Sequence, residues 1–290
     1  MPRLVPALEL FFPPLSTHPD LPDRVAVALD GAGLAAVHEA GSDAEPLWRV
    51  FLTDPAGTSR VAAQLQDEFA ADGCRVTVVE IEDEDWAARS QANLTHVRVG
   101  RLVVAPPWDI PPGLPHDTHL IVIPPSMGFG TGHHETTRLC LRLLQDLDLR
   151  GKRLVDVGTG SGVLAIAAVL LGAGSVEGID YDEDALTSAH ESVAVNGLSG
   201  RIRLRAADIR SDRTAAADVV TANLTGALLV AVAPELASMA DAGGSLILSG
   251  FQPPEAAAVV DAFAPFATVA SLIVDGEWHA AHLLRTAPNV

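Results

Sequence analysis

Residues 154–162 read Leu-Val-Asp-Val-Gly-Thr-Gly-Ser-Gly, and an acid follows at Asp180. The apolar-rich run Leu154–Val157 fits a buried strand. The three glycines after it let the backbone turn sharply and approach a ligand, because no Cβ stands in the way. Val163–Leu171 continues as an apolar helix, so the loop sits at a helix N-terminus. Unpaired N–H groups and the helix dipole favour an anion there. Ser175–Ile179 reads as a second short strand, closed by Asp180. A nucleotide-binding β-α-β unit places at this point the carboxylate that holds ribose hydroxyls.

The glycine spacing separates two kinds of nucleotide site. A dinucleotide loop requires G-x-G-x-x-G. Here Gly158, Gly160 and Gly162 give G-x-G-x-G, and Val163 occupies the third dinucleotide position. The run D-V-G-x-G-x-G resembles the loop of the class I S-adenosylmethionine (SAM) methyltransferases. That resemblance implies a loop facing the methionine end of the cofactor, a zwitterion, and not a pyrophosphate.

Composition sets the outer limits. The chain has 290 residues, 48% of them hydrophobic and 19% charged, which fits a globular protein with one large domain or two smaller ones. Its formal net charge is −18, with 19 Lys and Arg in total and no basic run. Nucleic-acid binding, which needs a basic patch, is not expected. The field of the whole chain favours a cationic partner or solubility alone. Two cysteines, Cys74 and Cys140, without a C-x-x-C pair give no disulfide framework and fit a reducing cytosol. The early prolines Pro2, Pro6, Pro13 and Pro14 break any signal helix, and the longest apolar stretch is too short to span a bilayer. A cytoplasmic protein, independent of membranes and monomeric, is expected.

The first eighty or so residues alternate in their own rhythm. Ala7–Phe12 reads as a strand. Pro22–Leu34 reads as a helix with Val25, Ala28, Leu29 and Ala32 on one face. Ala35–His38 and Leu47–Leu52 are short strands. Thr58–Ala71 is a second helix, capped by Thr58 or Ser59, that buries Val61, Leu65 and Phe69. Cys74–Ile81 is a fourth strand. The order β-α-β-β-α-β predicts a small ferredoxin-like α+β domain. A helix-like stretch at Trp86–Leu94, an extended one at Val97–Ala105 and a stiff, proline-rich segment from Pro106 to Pro112 follow. The boundaries expected are 1–83 for the small domain, 84–108 for a linker and 109–290 for the large domain. In the large domain, strands near His119–Ile123, Arg153–Val157, Ser175–Ile179, Ile202–Ala206, Ala217–Ala222, Ser245–Ser249, Thr268–Asp275 and Trp278–Arg285 alternate with helices. This is the pattern of a doubly wound α/β sheet.

A second motif precedes the glycine loop: Met127-Gly128-Phe129-Gly130-Thr131-Gly132-His133-His134-Glu135-Thr136-Thr137. It leads into a helix over Glu135–Leu144, and its threonines can cap that helix and donate to a ligand. The run F-G-T-G-x-H-x-T-T, followed by L-C-L and then by the D-x-G-x-G-S-G segment, resembles the ribosomal protein L11 methyltransferases of bacteria. Asp218–Leu224 (D-V-V-T-A-N-L), Gly243-Gly244, Leu248-Ser249-Gly250, Glu277-Trp278 and Pro107-Trp108 extend the likeness across most of residues 80–285. The N-terminal domain matches in size and element order only.

The resemblance implies a Rossmann-like class I methyltransferase domain behind a domain that grips the protein substrate. It places SAM contacts at Thr137, Gly158, Asp180 and Asn223. The same loops bring in Gly160, Phe129 and Thr131 as neighbours of the cofactor. Asp208, after the next strand, is a candidate for the adenine amino group. Asn223 ends a strand at the carboxyl edge of the sheet, where open α/β folds bind ligands. Its amide offers donors and an acceptor, and it is the candidate catalytic residue. The activity implied is methylation of lysine or α-amino groups on ribosomal protein L11 or another basic protein. Two alternatives remain open: a related methyltransferase acting on another protein or a small molecule, and an inactive SAM-binding module. Departures at Pro124-Pro125-Ser126, Gly128 and Thr225–Leu229 fall on the acceptor side of the site.

Other chemistries fit less well. His133, His134 and Glu135 are adjacent in the chain, and no H-E-x-x-H or second cluster completes a metal site, so a loop or cap role is expected of them. Ser161 lies in G-T-G-S-G and not in G-x-S-x-G, so it makes no nucleophile elbow. Arg201, Arg203, Arg205 and Arg210 alternate along and beyond one strand, as on an exposed sheet edge.

Overall fold

A computed structural model describes residues 4–13, 21–31, 34–42, 45–52, 55–82, 94–124, 132–212 and 214–287. The chain divides into two compact units, Met1–Asn93 and Leu94–Val290.

The first unit runs β1 (Leu4–Phe11), α1 (Leu21–Gly31), β2 (Leu34–Ser42), β3 (Glu45–Leu52), α2 (Thr58–Phe69) and β4 (Arg75–Glu82). Its sheet has the order β2-β3-β1-β4 with every pair antiparallel, the ferredoxin-like arrangement predicted from element order. Alternation along β1 sends Leu8 and Leu10 into a core with Leu21, Val25 and Leu29 of α1 and Val61, Leu65 and Phe69 of α2. The start of α2 differs from expectation. Its N-cap is Gly57, with no side-chain cap bond, and Thr58 is buried inside the helix. A 3-10 turn over Pro55–Gly57 runs straight into the helix, so no hydroxyl is needed at its start. The helix-like stretch Trp86–Leu94 falls outside the described residues up to Asn93.

The second unit contains β5 (Val97–Val99), β6 (Leu102–Ala105), β7 (His119–Val122), α3 (Glu135–Gln145), β8 (Arg153–Val157), α4 (Val163–Leu170), β9 (Ser175–Asp180), α5 (Glu183–Val195) and β10 (Ile202–Ala206). It continues through β11 (Ala217–Asn223), α6 (Gly226–Ala231), α7 (Ala233–Ser238), β12 (Ala240–Phe251), α8 (Pro253–Phe263), β13 (Ala267–Asp275) and β14 (Trp278–Arg285). Seven strands form one sheet in the order β10-β9-β8-β11-β12-β14-β13. The first five are mutually parallel, and β14 runs antiparallel to both its neighbours.

Both faces of the central strands β8 and β11 are covered, which is why they read as apolar runs, whereas the edge strands β10 and β13 are partly exposed. Leu154, Val176 and Val219 point to a core shared with α3 and α4. Val155, Val157, Val220 and Leu248 point to the opposite core, with α6, α7 and α8. Helix α4 is buried from Val163 to Val169, so its apolar character on all sides matches its place inside the layers. Among the described residues no helix is long and apolar enough to cross a membrane.

The stretch 94–108 belongs to the second unit and is not a free connector. Strand β6 lies between β5 and β7 in a three-stranded sheet, parallel to β7. Leu102, Val103, Val104 and Ala105 are fully buried. Gln145 of α3 fastens this sheet by donating to the Val99 carbonyl at 3.0 Å and accepting from Arg101 N–H at 2.9 Å. Prolines after β6 suggest a spacer from sequence because the strand's parallel partner lies beyond them. A fragment of residues 94–290 is therefore expected to unfold cooperatively. Residues 109–290 alone should lose roughly 1.5–3 kcal/mol for each large apolar side chain removed from that core. Chemical denaturation of the two fragments checks this, and equal midpoints would show that β6 contributes nothing.

Candidate active site

The carboxyl ends of β8, β9, β11 and β12 and the start of β14 open onto one cavity of about 700 Å³. It lies at the point where strand order reverses between β8 and β11, the usual ligand crevice of an open α/β sheet.

The glycine loop forms its floor. Gly158 has φ +68°, a left-handed backbone that residues with a Cβ rarely adopt, and a Cβ there would also require Leu224 Cδ2, 2.6 Å away, to shift. Gly162, at φ +81°, is the N-cap of α4 and packs on Ala189 of α5. The loop is held from below by Asp156, which is 1% exposed. Its carboxylate accepts from Thr159 Oγ1 at 2.7 Å and from Thr221 Oγ1 at 2.6 Å. Thr221 is its direct cross-strand partner on β11. Burial pushes the Asp156 carboxyl up to about 6, although both hydroxyl bonds pull it down; the nearby Asp180 charge raises it further.

Asp180, buried at the end of β9, accepts from Gly160 N–H at 3.0 Å through Oδ2 and from Asp182 N–H at 3.1 Å through Oδ1. Each carboxylate oxygen keeps a second lone pair for a ligand hydroxyl. Asn223 ends β11, and its Nδ2 donates to Oγ1 of the buried Thr137 at 3.4 Å. The amide is anchored through its nitrogen, and its oxygen remains the acceptor. The structure thus brings Thr137, Gly158, Gly160, Asp180, Asp208 and Asn223 around one space. Phe129 and Thr131 lie outside the described residues.

Asp208 lines the cavity but is engaged by Arg210, at 2.9 Å from Nε and 2.7 Å from Nη2. That guanidinium holds its carboxyl down at about 2. The exposed Tyr181 flanks the same end. Of the four alternating arginines, Arg203 and Arg205 sit on the edge strand β10 and face Glu177.

Sequence reasoning gives Asp156 no role of its own, names Trp278 only within the family match, and reaches His134 as a loop or cap residue rather than as part of the cavity wall. An acid inside the apolar run Leu154–Val157 is the available signal for Asp156, since buried carboxylates are uncommon. His134, and not a threonine, caps α3: its Nδ1 accepts from Thr136 N–H at 3.3 Å. Burial lowers its pKa below the ordinary histidine value. Its ring meets Trp278 edge-on at 4.8 Å, and both side chains line the cavity. Among the described residues no group of His, Cys, Asp and Glu is placed to hold a metal ion.

The strand order with β14 reversed, the G-x-G-x-G loop under a helix N-terminus and the acid ending the next strand define a class I methyltransferase. Residues 34–286 match the family described as ribosomal protein L11 methyltransferase (PrmA). A ribosomal protein L11 methyltransferase of Geobacter sulfurreducens is 42% identical over 233 residues, 78% of this chain and 76% of that protein. One from Pelobacter propionicus is 40% identical over 182 residues, 61% of this chain and 58% of that protein. The crystal structure of ribosomal protein L11 methylase from Lactobacillus delbrueckii subsp. bulgaricus is similar at 28% identity with a TM-score of 0.63. That match covers 67% of this chain and 100% of the crystallised one. The chain belongs to the ribosomal protein L11 methyltransferase family. The match begins at Leu34, so the sequence likeness reaches further into the first unit than the motifs within residues 80–285 indicated.

Asp156 gives the site a pH signature. Its folded pKa of about 6 lies above the unfolded value of about 3.9. The folded state therefore binds the extra proton between these values, and stability falls as pH rises through that window. The loss is on the order of 3 kcal/mol and is complete above about pH 6. Asp156→Asn should flatten this slope, measured by denaturant unfolding from pH 4 to 8. Parallel curves for the two proteins would contradict it.

Proposed function

We propose that the chain transfers methyl groups from SAM to lysine or α-amino groups of ribosomal protein L11. The observation that carries this reading is the pair of anchored side chains along one cavity: Asp180 beside the glycine loop and Asn223 against Thr137. The cavity volume suits a ligand of SAM's size. Asp180 would accept from the ribose hydroxyls, and the loop at Gly158 and Gly160 would lie against the amino-acid end. Thr137 would wall that end, and Asp208 would meet the adenine edge.

SAM supplies a methyl group already activated by its positive sulfur. What remains for the protein is to bring a neutral amine into line, a proximity effect that can contribute roughly 7–11 kcal/mol. A lysine side chain in water titrates at about 10.4, so holding it neutral at pH 7 costs about 4–5 kcal/mol. A largely apolar cavity lowers that cost, because desolvation disfavours the charged amine. Asn223 Oδ1 would accept one amine hydrogen and aim the nitrogen lone pair. His134, kept neutral by burial, adds no positive charge to the wall. The acidic character of the chain favours a basic acceptor protein over nucleic acid. The first unit would supply the grip on that protein, acting in the cytoplasm as a monomer.

Asp180 and Asn223 should separate when varied. Asp180→Ala is expected to weaken SAM binding in calorimetry by roughly 1.5–3 kcal/mol, through lost charge-assisted hydrogen bonds. Asn223→Ala is expected to lower turnover far more than SAM affinity, since its oxygen acts mainly in the transition state. Labelled SAM with purified L11 and the remaining proteome, read by mass spectrometry, tests the substrate. Methylation of another target with L11 untouched would keep the methyltransferase and remove the ribosomal acceptor.

A further inference from the structure

The turn between β13 and β14 reaches the ligand edge of the sheet. Strand β13 runs parallel to β12, so it ends at that edge with Asp275, and the reversed β14 begins there with Trp278. Along the sheet, Asp180 stands on β9 and Trp278 on β14, four strands away. At about 4.8 Å per strand, the cavity extends roughly 19 Å between them. The glycine loop on β8 and Asn223 on β11 lie in between. If Asp180 takes the ribose and the loop takes the amino-acid end, Trp278 and His134 flank the end left for the incoming amine.

That end is tied together by one side chain. Arg138 of α3 donates through Nε to Asp275 Oδ2 at 3.1 Å and through Nη2 to Glu135 Oε1 at 3.0 Å. Its Nη1 donates to the His133 carbonyl. One guanidinium thus joins the turn to both sides of His134, with Arg142 a further 3.9 Å from Asp275. The Arg138 and Asp275 side chains are only 23% and 25% exposed, so solvent screens the pair incompletely. The planar fork suits three partners at fixed angles, as a lysine ammonium does not. The family pattern F-G-T-G-x-H-x-T-T fixes neither Glu135 nor the arginine that follows it.

We propose that Arg138 is a positioning residue for methyl transfer: by clasping the β13–β14 turn it holds the Trp278 ring against His134 and shapes the end of the cavity that admits the amine. The inference rests on the methyltransferase reading of this cavity, and its test has an arm that does not depend on L11.

The full-length protein is labelled with 5-fluorotryptophan, and the Trp278 resonance is assigned through Trp278→Phe. Arg138→Gln and Asp275→Asn are each expected to shift or broaden that resonance while leaving SAM affinity by calorimetry unchanged. With L11 as acceptor, kcat/KM should fall roughly 10–100-fold, in keeping with a small misplacement of a reacting group. Arg138→Lys, which keeps the charge but not the fork, should fall between wild type and Arg138→Gln. It also serves if the glutamine variant fails to fold. An unmoved Trp278 resonance would overturn the proposal. So would a loss of SAM affinity equal to the loss of turnover, which would mark Arg138 as structural only. If wild-type protein leaves L11 untouched, the acceptor reading falls and the fluorine signal alone decides the role of Arg138.

Discussion

The buried carboxylate of Asp156 is the constraint on which the site depends. It sits at the reversal of strand order, and its two hydroxyl partners come from different elements. Thr221 belongs to the neighbouring strand, and Thr159 to the glycine loop. A carboxylate this deep is costly to keep charged, and removing either hydroxyl would leave an acceptor without its donor. The arrangement sets the height of the loop relative to β11, and therefore the offset between Gly158 and Asn223. Asp180 repeats the device one strand over, gripping the loop through the N–H of Gly160. Both acids hold the loop before any ligand arrives, so the cavity is formed by the fold itself.

The parts of the fold legible in the sequence are those with local causes. The glycine loop, the apolar helix after it and the acid at the end of β9 follow from steric freedom, burial and spacing within one β-α-β unit. The ferredoxin-like unit is legible because its strands alternate and its helices show one apolar face. Partners distant in sequence are not legible. Strand β6 resembles a spacer because its neighbour β7 lies past a run of prolines. The threonines at the start of α3 suggest a hydroxyl cap, yet His134 takes that position and also meets Trp278, more than a hundred residues later in the chain. No periodicity encodes such a contact. Gly57 replaces the expected hydroxyl cap of α2 because a preceding 3-10 turn carries the helix start. The substituted Thr225 has a local explanation as well: its hydroxyl caps α6 by accepting from Leu228 N–H at 3.4 Å.

Charge follows a comparable logic of specific partners. Arginines in this acidic chain stand where they neutralise particular carboxylates. Arg205 faces Glu177 on the exposed strand edge, Arg210 faces Asp208 at the cavity mouth, and Arg153 reaches Asp218 and Asp241 at the opposite end of the sheet. Most of these pairs are open to solvent and contribute little to stability. With these arginines paired, the rest of a chain of formal net charge −18 is left predominantly negative, a long-range field that favours cationic over anionic groups.

The reversed final strand has a consequence for biogenesis. Because β14 enters the sheet beside β12 and not at its rim, the sheet closes only after the last strand has been inserted between two earlier ones. The cavity takes its wall from α3, its floor from β8 and β9, and its far end from the first residue of β14. A chain still emerging from synthesis can assemble the glycine loop and Asp180 early, from contacts close in sequence. It cannot own a complete cavity until β14 is available, because the closing contacts are among the most distant in the sequence. The cavity is therefore complete only once β14 has been made, and a product truncated before Trp278 would keep the glycine loop and Asp180 but lack the wall that Trp278 supplies.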